Sequence, residues 1–142
     1  KKVGGFSPLF FHYGEDVDYI HRMRFYGYRV GYTPLTSGCH DRQNRPITRQ
    51  TQMKLDRVYY LSVVSDLNSG MAKCLWGGGL APLKPGVLAL LRGRFKEFCF
   101  YTGTSVRLLC RYPSIAEIKR FCKQGRPVFL ENVHSKIKPI WS

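Results

Sequence analysis

The chain is poor in acid. Asp and Glu together number 9 against 23 Lys and Arg, for a net charge of +14 over 142 residues. That excess favours an anionic partner: phosphate, nucleic acid or an acidic lipid surface. No apolar run approaches the ~20 residues of a transmembrane helix, which predicts that no segment spans a bilayer. No secretory signal is present, and the opening Lys1-Lys2-Val3-Gly4-Gly5 lacks an initiator Met. The sequence therefore reads as cut from something longer, with any upstream targeting segment out of sight. Cys39, Cys74, Cys99, Cys110 and Cys122 are odd in number and widely spaced, with no Cys-x-x-Cys pair. This argues against a zinc module and suits free thiols in a reducing cytoplasm better than a disulfide framework. Gly77-Gly78-Gly79 lacks the Gly-Lys-Ser/Thr of a phosphate-binding Walker loop. RNP, KH and helix-turn-helix patterns are missing too, and there is neither an internal repeat nor a low-complexity segment.

What is there suffices for a core. The chain is 44% hydrophobic and 14% aromatic, which fits one folded domain. Charge divides it unevenly. Residues 1–47 hold seven basic and four acidic residues, and residues 48–142 hold sixteen and five. In the first block, Gly4-Gly5 marks a turn before the aromatic residues Phe6, Phe10, Phe11 and Tyr13. Glu15-Asp16-Val17-Asp18 then suits a helix N-terminus, where free amides and the helix dipole favour negative charge. Asp18 and Arg22 stand at i,i+4 with the acid first, the better order for a helical pair. Gly27 is a C-terminal stop. Tyr28, Val30 and Tyr32 alternate with Arg29, Gly31 and Thr33, which predicts a short strand ended by Pro34. His40 to Pro46 reads as loop.

The second block is predicted to be mostly helical. Tyr60, Val63, Val64 and Leu67 share one helix face, ended by Asn68-Ser69-Gly70. Trp76-Gly77-Gly78-Gly79 with Pro82, Pro85 and Gly86 reads as a flexible joint. Val87, Leu90, Leu91, Phe95 and Phe98 predict one further helix, flanked by Arg92, Arg94 and Lys96. Ser114-Ile115-Ala116-Glu117 is a capping box, predicting a short helix that ends near Gly125. The fold class is α+β, predominantly helical.

The ordered string Gly4-Gly5-Phe6, Phe10-Phe11, Gly14-Glu15-Asp16-Val17-Asp18, Arg22, Gly27-Tyr28, Pro34, His40 resembles the family 2 glycosyltransferases of the GT-A fold. The resemblance covers roughly the first forty residues. It implies that residues 1–47 are the acceptor side of a Rossmann-like catalytic domain and that residues 48–142 are a basic helical tail. It implies an inverting transfer of sugar from a nucleotide-sugar donor to a glycan or lipid-linked acceptor. Asp16 matches the general base that takes the acceptor hydroxyl proton. Glu15 would accept acceptor hydroxyls or orient Asp16. Asp18, Arg22 and Tyr13 fall at acceptor-binding positions, although Asp18 and Arg22 read better as a structural ion pair. His40 matches a ligand of the divalent metal on the diphosphate, and imidazole suits Mn²⁺ better than Mg²⁺. The family's donor-side Asp-x-Asp is not found before Glu15, so the donor-binding half is expected upstream.

Bland readings stand beside these: two acids at a helix start can simply cap it, and a loop His is commonly structural. A non-enzymatic basic module binding nucleic acid or acidic lipid is the alternative for the whole chain. The acids of the first block, which would repel a phosphate backbone, make nucleic acid the weaker partner. Exposure of Phe6, Phe10 and Phe11 is expected to invite self-association as a homodimer. The basic, apolar-striped Val87–Phe98 segment points to peripheral attachment at the inner membrane face.

Overall fold

The computed structural model describes residues 2–7, 9–10, 13–31, 33–35 and 46–125. Its first helix, α1 (Glu15–Phe25), carries Glu15, Asp16 and Asp18 in the first turn and Arg22 and Arg24 in the last. Both ends thus complement the dipole. Gly27 ends it at φ 79. The Tyr28 amide donates to the Met23 carbonyl and the Gly27 amide to that of Arg24, both at 3.0 Å. These two bonds make the Schellman closure of a helix on a left-handed glycine.

No strand occurs among the described residues. The alternation at Tyr28–Thr33 does not form one: Tyr28 and Val30 are exposed, and Tyr32 lies outside the described part. An alternating pattern supplies faces but not a ladder, and no described segment offers a second strand to pair with. The described part is helical, and the β component of the expected class is not seen in it.

Thr48 caps α2 (Arg49–Ser65), its hydroxyl accepting from the Thr51 amide at 3.2 Å. The predicted stripe is present in part: Val64 and, just past the helix end, Leu67 are core residues and Tyr60 packs against the core, whereas Val63 is only half-buried. Asp66 closes the turn that follows, accepting from the Asn68 amide at 3.0 Å and the Ser69 hydroxyl at 2.7 Å.

The chain then re-enters helix where a flexible joint was expected. A short α3 (Met71–Cys74) continues through a π-helical stretch, Leu75–Leu80, toward α4 (Leu83–Leu91). The glycines here provide closeness, not flexibility. A Cβ on Gly78 would run into the Val64 side chain and lie 2.9 Å from the Tyr60 carbonyl, and one on Gly79 would lie 2.8 Å from Leu109 Cδ2. Pro82 and Pro85 sit before and within the first turn of α4, where a missing amide hydrogen breaks no helical bond. Joined in this way, Met71–Leu91 is long and apolar enough by length and composition to cross a membrane, with a third of it buried. This corrects the expectation that no apolar run approaches that length.

Gly93, at φ 68, ends α4 with the same closure as α1: Arg94 N to Ala89 O at 2.8 Å and Gly93 N to Leu90 O at 2.9 Å. The single helix predicted over Val87–Phe98 is therefore two. The second, α5 (Phe95–Lys123), runs through Pro113, and the Ser114–Glu117 box lies in its interior. A proline inside a helix costs ~3 kcal/mol. Buried Leu108 on one side and Ile115 and Ile118 on the other hold both halves to the same core. The end near Gly125 is as expected.

One core joins both blocks. Leu9 and Phe10 pack with Leu61, Val64, Leu67, Leu108, Ile115, Ile118 and Cys122. Phe10 is buried, against expectation; Phe6 is exposed, and Phe11 lies outside the described residues. The Tyr26 hydroxyl donates to the Cys122 carbonyl. Buried Lys119 donates to Val64 O at 3.3 Å, Ser69 O at 3.4 Å and Cys74 Sγ at 2.9 Å, satisfying carbonyls freed where α2 ends.

Candidate active site

The start of α1 is built by two consecutive left-handed residues, Tyr13 at φ 67 and Gly14 at φ 84. Gly14 has no substitute, because a Cβ would strike the Val58 side chain and lie 3.1 Å from Phe10 Cδ1. Tyr13 is the only non-glycine at positive φ among the described residues. Such a conformation costs on the order of 1–3 kcal/mol and persists only where its surroundings impose it. Here it turns the chain sharply into α1, with the Tyr13 ring and, of the acids in the first turn, Asp16 exposed.

Behind this rim lies a buried ion pair. Arg22 Nε donates to Asp18 Oδ2 at 2.9 Å, and the two residues are 2% and 4% exposed. The remaining guanidinium nitrogens donate to Val3 O and, at 2.7 Å, to Gly5 O. Arg22 thus ties the Gly4-Gly5 turn to α1. Its guanidinium lies 5.3 Å from the Tyr19 ring centre, and Phe6 packs on Tyr19 at 5.7 Å. Burial pushes the Asp18 carboxyl above its ordinary range, only partly countered by Arg22. The structural pairing weighed from the sequence is present, and it keeps both side chains away from solvent.

The other two acids differ from Asp18 and from each other. Asp16 is exposed, with Oδ1 accepting from the Val17 amide at 2.8 Å. Glu15 is half-buried, and its Oε2 is buried with no hydrogen-bond partner among the described residues. His40 lies outside the described residues. Among those that are described, no group of three or more His, Cys, Asp or Glu could hold a metal ion.

Beside Val17 the structure shows a groove that sequence reasoning missed; Asp16 does not line it. It has a volume of about 400 Å³ and is lined by Val17, His21, Tyr59, Ser62, Asp66 and Lys73, among others. His21 Nδ1 stands 3.7 Å from Asp66 Oδ1, and Asn68 Nδ2 donates to the His21 carbonyl at 3.0 Å. Burial pushes the Asp66 carboxyl up, but hydrogen bonds from Ser69 and Asn68, with His21 nearby, hold it below its ordinary range. One signal was available in the sequence: Val17 and His21 stand at i,i+4 and so share a face of α1. The contribution of the α2 end and α3 was not readable, since nothing local relates residue 66 to residue 21.

No family model, curated protein or solved structure matches the chain.

Proposed function

We propose that the chain is the acceptor-side part of an inverting, nucleotide-sugar-dependent glycosyltransferase, with Asp16 as general base. The observation that carries this reading is the division of labour at the start of α1. Asp18 and Arg22 are buried against each other and the Gly4-Gly5 turn, while of the three acids Asp16 alone is exposed. The motif residues thus fall into a scaffold and one presented carboxylate. A base must reach the proton it takes, and a helix start on a rigid scaffold fixes its direction.

Glu15 fits the accompanying role. Its Oε2 is buried without a partner, so a turn of the half-buried carboxylate that brings this oxygen to a hydroxyl of the acceptor sugar would satisfy it. The groove beside Val17 is of a size usual for small-molecule sites and offers the exposed Tyr59 ring as an apolar wall with polar groups around it. Asp18 and Arg22 then act as positioning residues, and Tyr13 as part of the rim. Asp16 takes the proton as the acceptor oxygen bonds the anomeric carbon and the nucleoside diphosphate departs from the opposite face. A divalent cation would sit with His40 and donor-side groups.

The test uses the polypeptide that contains both this chain and its donor-binding half, with a panel of nucleotide sugars. Asp16→Asn keeps size and hydrogen bonding but cannot accept the proton. Transfer is expected to fall by ~10²–10⁴, with donor binding unchanged. Transfer at the wild-type rate would overturn the assignment.

A further inference from the structure

We propose that the α4–α5 hairpin tip is a bilayer-inserting element selective for anionic headgroups. The proposal is independent of the sugar-transfer reading and rests on the shape and charge of the tip. Leu91 and Phe95 stand on either side of the Arg92-Gly93-Arg94 turn and are 78% and 66% exposed. Val87, Leu88 and Leu90 add exposed apolar surface along α4. The closure on Gly93 fixes the turn through backbone hydrogen bonds, so Leu91 and Phe95 are held outward. Exposed apolar surface of this extent marks an interaction site.

Charge identifies the partner. Residues 84–96 hold Lys84, Arg92, Arg94 and Lys96 and no acid. The acid that follows, Glu97, is already engaged: Arg49 donates to its two oxygens at 3.1 and 2.7 Å, with Arg94 at 3.8 Å. An apolar tip ringed by long basic side chains matches an anionic membrane interface, where the stems follow the apolar residues inward and the charged ends reach headgroups. A nucleic acid would use the cations but leave Leu91 and Phe95 in water. Two apposed tips would bring like charges together.

The same geometry favours insertion of the tip over spanning by the whole Met71–Leu91 rod. The N-terminal part of the rod is packed into the bundle. Cys74 is fully buried, Gly78 and Gly79 press on α2 and α5, and Ser105 Oγ donates to Gly79 O at 2.5 Å. Met71 and Trp76 are exposed there, but the segment that carries them is anchored on its other side, whereas the end that meets α5 joins exposed apolar residues to a run of basic ones.

Co-sedimentation of the chain with vesicles tests this. One set is pure phosphatidylcholine; the other is equal parts phosphatidylcholine and phosphatidylglycerol. Binding is expected to the mixed vesicles, weakening with salt, and little to the neutral ones. Each cation contributes about fivefold near an anionic surface, so Arg92→Gln with Lys96→Gln should weaken binding about 25-fold. Leu91→Ser with Phe95→Ser should weaken it about tenfold or more, with the circular dichroism spectrum unchanged because both residues are exposed. With Trp76 and Trp141 replaced by Phe so that residue 91 holds the sole indole, Leu91→Trp should show a blue-shifted emission on mixed vesicles. Undiminished binding by the double Ser variant, or no emission shift, would overturn insertion. Absence of vesicle binding, with a wild-type dimer that the double Ser variant makes monomeric, would overturn the proposal in favour of a second copy.

Discussion

Arg22 shows how far a single residue can be read from sequence. Its i,i+4 partner Asp18 was legible, because helical spacing brings the two side chains together. Its bonds to Val3 O and Gly5 O were not, since they depend on how the opening turn folds back over α1. Arg22→Met should therefore do more than remove one surface pair. It strands a buried carboxylate and two carbonyls, and a loss of about 3–5 kcal/mol is expected in urea unfolding. Asp66 gives a pH-dependent counterpart. Its folded-state pKa lies below the ordinary 3.8, so it stabilises the fold above that value and the contribution is lost as pH falls through the folded pKa. Ser69→Ala removes one of the hydrogen bonds responsible. It should cost about 1 kcal/mol at neutral pH, with the gap to wild type narrowing in acid. Urea midpoints measured from neutral pH down to acid would check this; a gap that widens in acid would contradict the sign. Thiols divide similarly by burial. Cys99 and Cys110 are exposed, whereas Cys74 and Cys122 are buried, the Cys122 thiol pushed up to about 11 by desolvation. Among these four, only Cys99 and Cys110 should react quickly with a thiol reagent at mildly alkaline pH.

Helix ends were easier to read than helix interiors. Gly27 was legible as a stop because a glycine after a helical run supplies the left-handed residue that closes it. Gly93 carries the same signal, but the apolar stripe continuing through Phe95 and Phe98 masked it. Gly77-Gly78-Gly79 was misread for a different reason. Glycine permits both flexibility and close approach, and only the packing partners decide which is used. The structure separates the two uses and gives them opposite signs. Gly78→Ala would force the α2 backbone at Tyr60 and Val64 to move, since backbone atoms lie within about 3 Å of the added carbon. A loss of ~1–3 kcal/mol is expected, as for other overpacked sites. Gly103 lies inside α5 with nothing within 4 Å of an added Cβ. Gly103→Ala should stabilise by ~0.5–1 kcal/mol through helix propensity alone. Thermal melts of the two variants would check the pair, and a destabilised Gly103→Ala would mean that something not seen here packs on that face.

At the scale of the molecule, the change in charge near residue 47 suggested two parts, and the structure shows what joins them. Composition records charge along the chain but not which apolar residues meet. Leu9 and Phe10, before α1, belong to the same core as Leu61, Leu108 and Ile118. The aromatic loop was expected to be exposed because no local pattern relates it to the helical block that covers it. Phe10 lies in that core with its ring beside Gly14, so it supports both the helical packing and the turn that presents Asp16. Phe10→Ala should consequently cost ~3–5 kcal/mol. The loss should appear both in the helical block as a whole and where the first block covers it: far-UV circular dichroism, dominated by α2 and α5, and modification of Cys122, whose carbonyl accepts from Tyr26, should shift to the same lower urea midpoint. An unchanged circular dichroism midpoint, with only local loosening around α1, would mean that the helical block is stable without the loop and that the shared core contributes little to it.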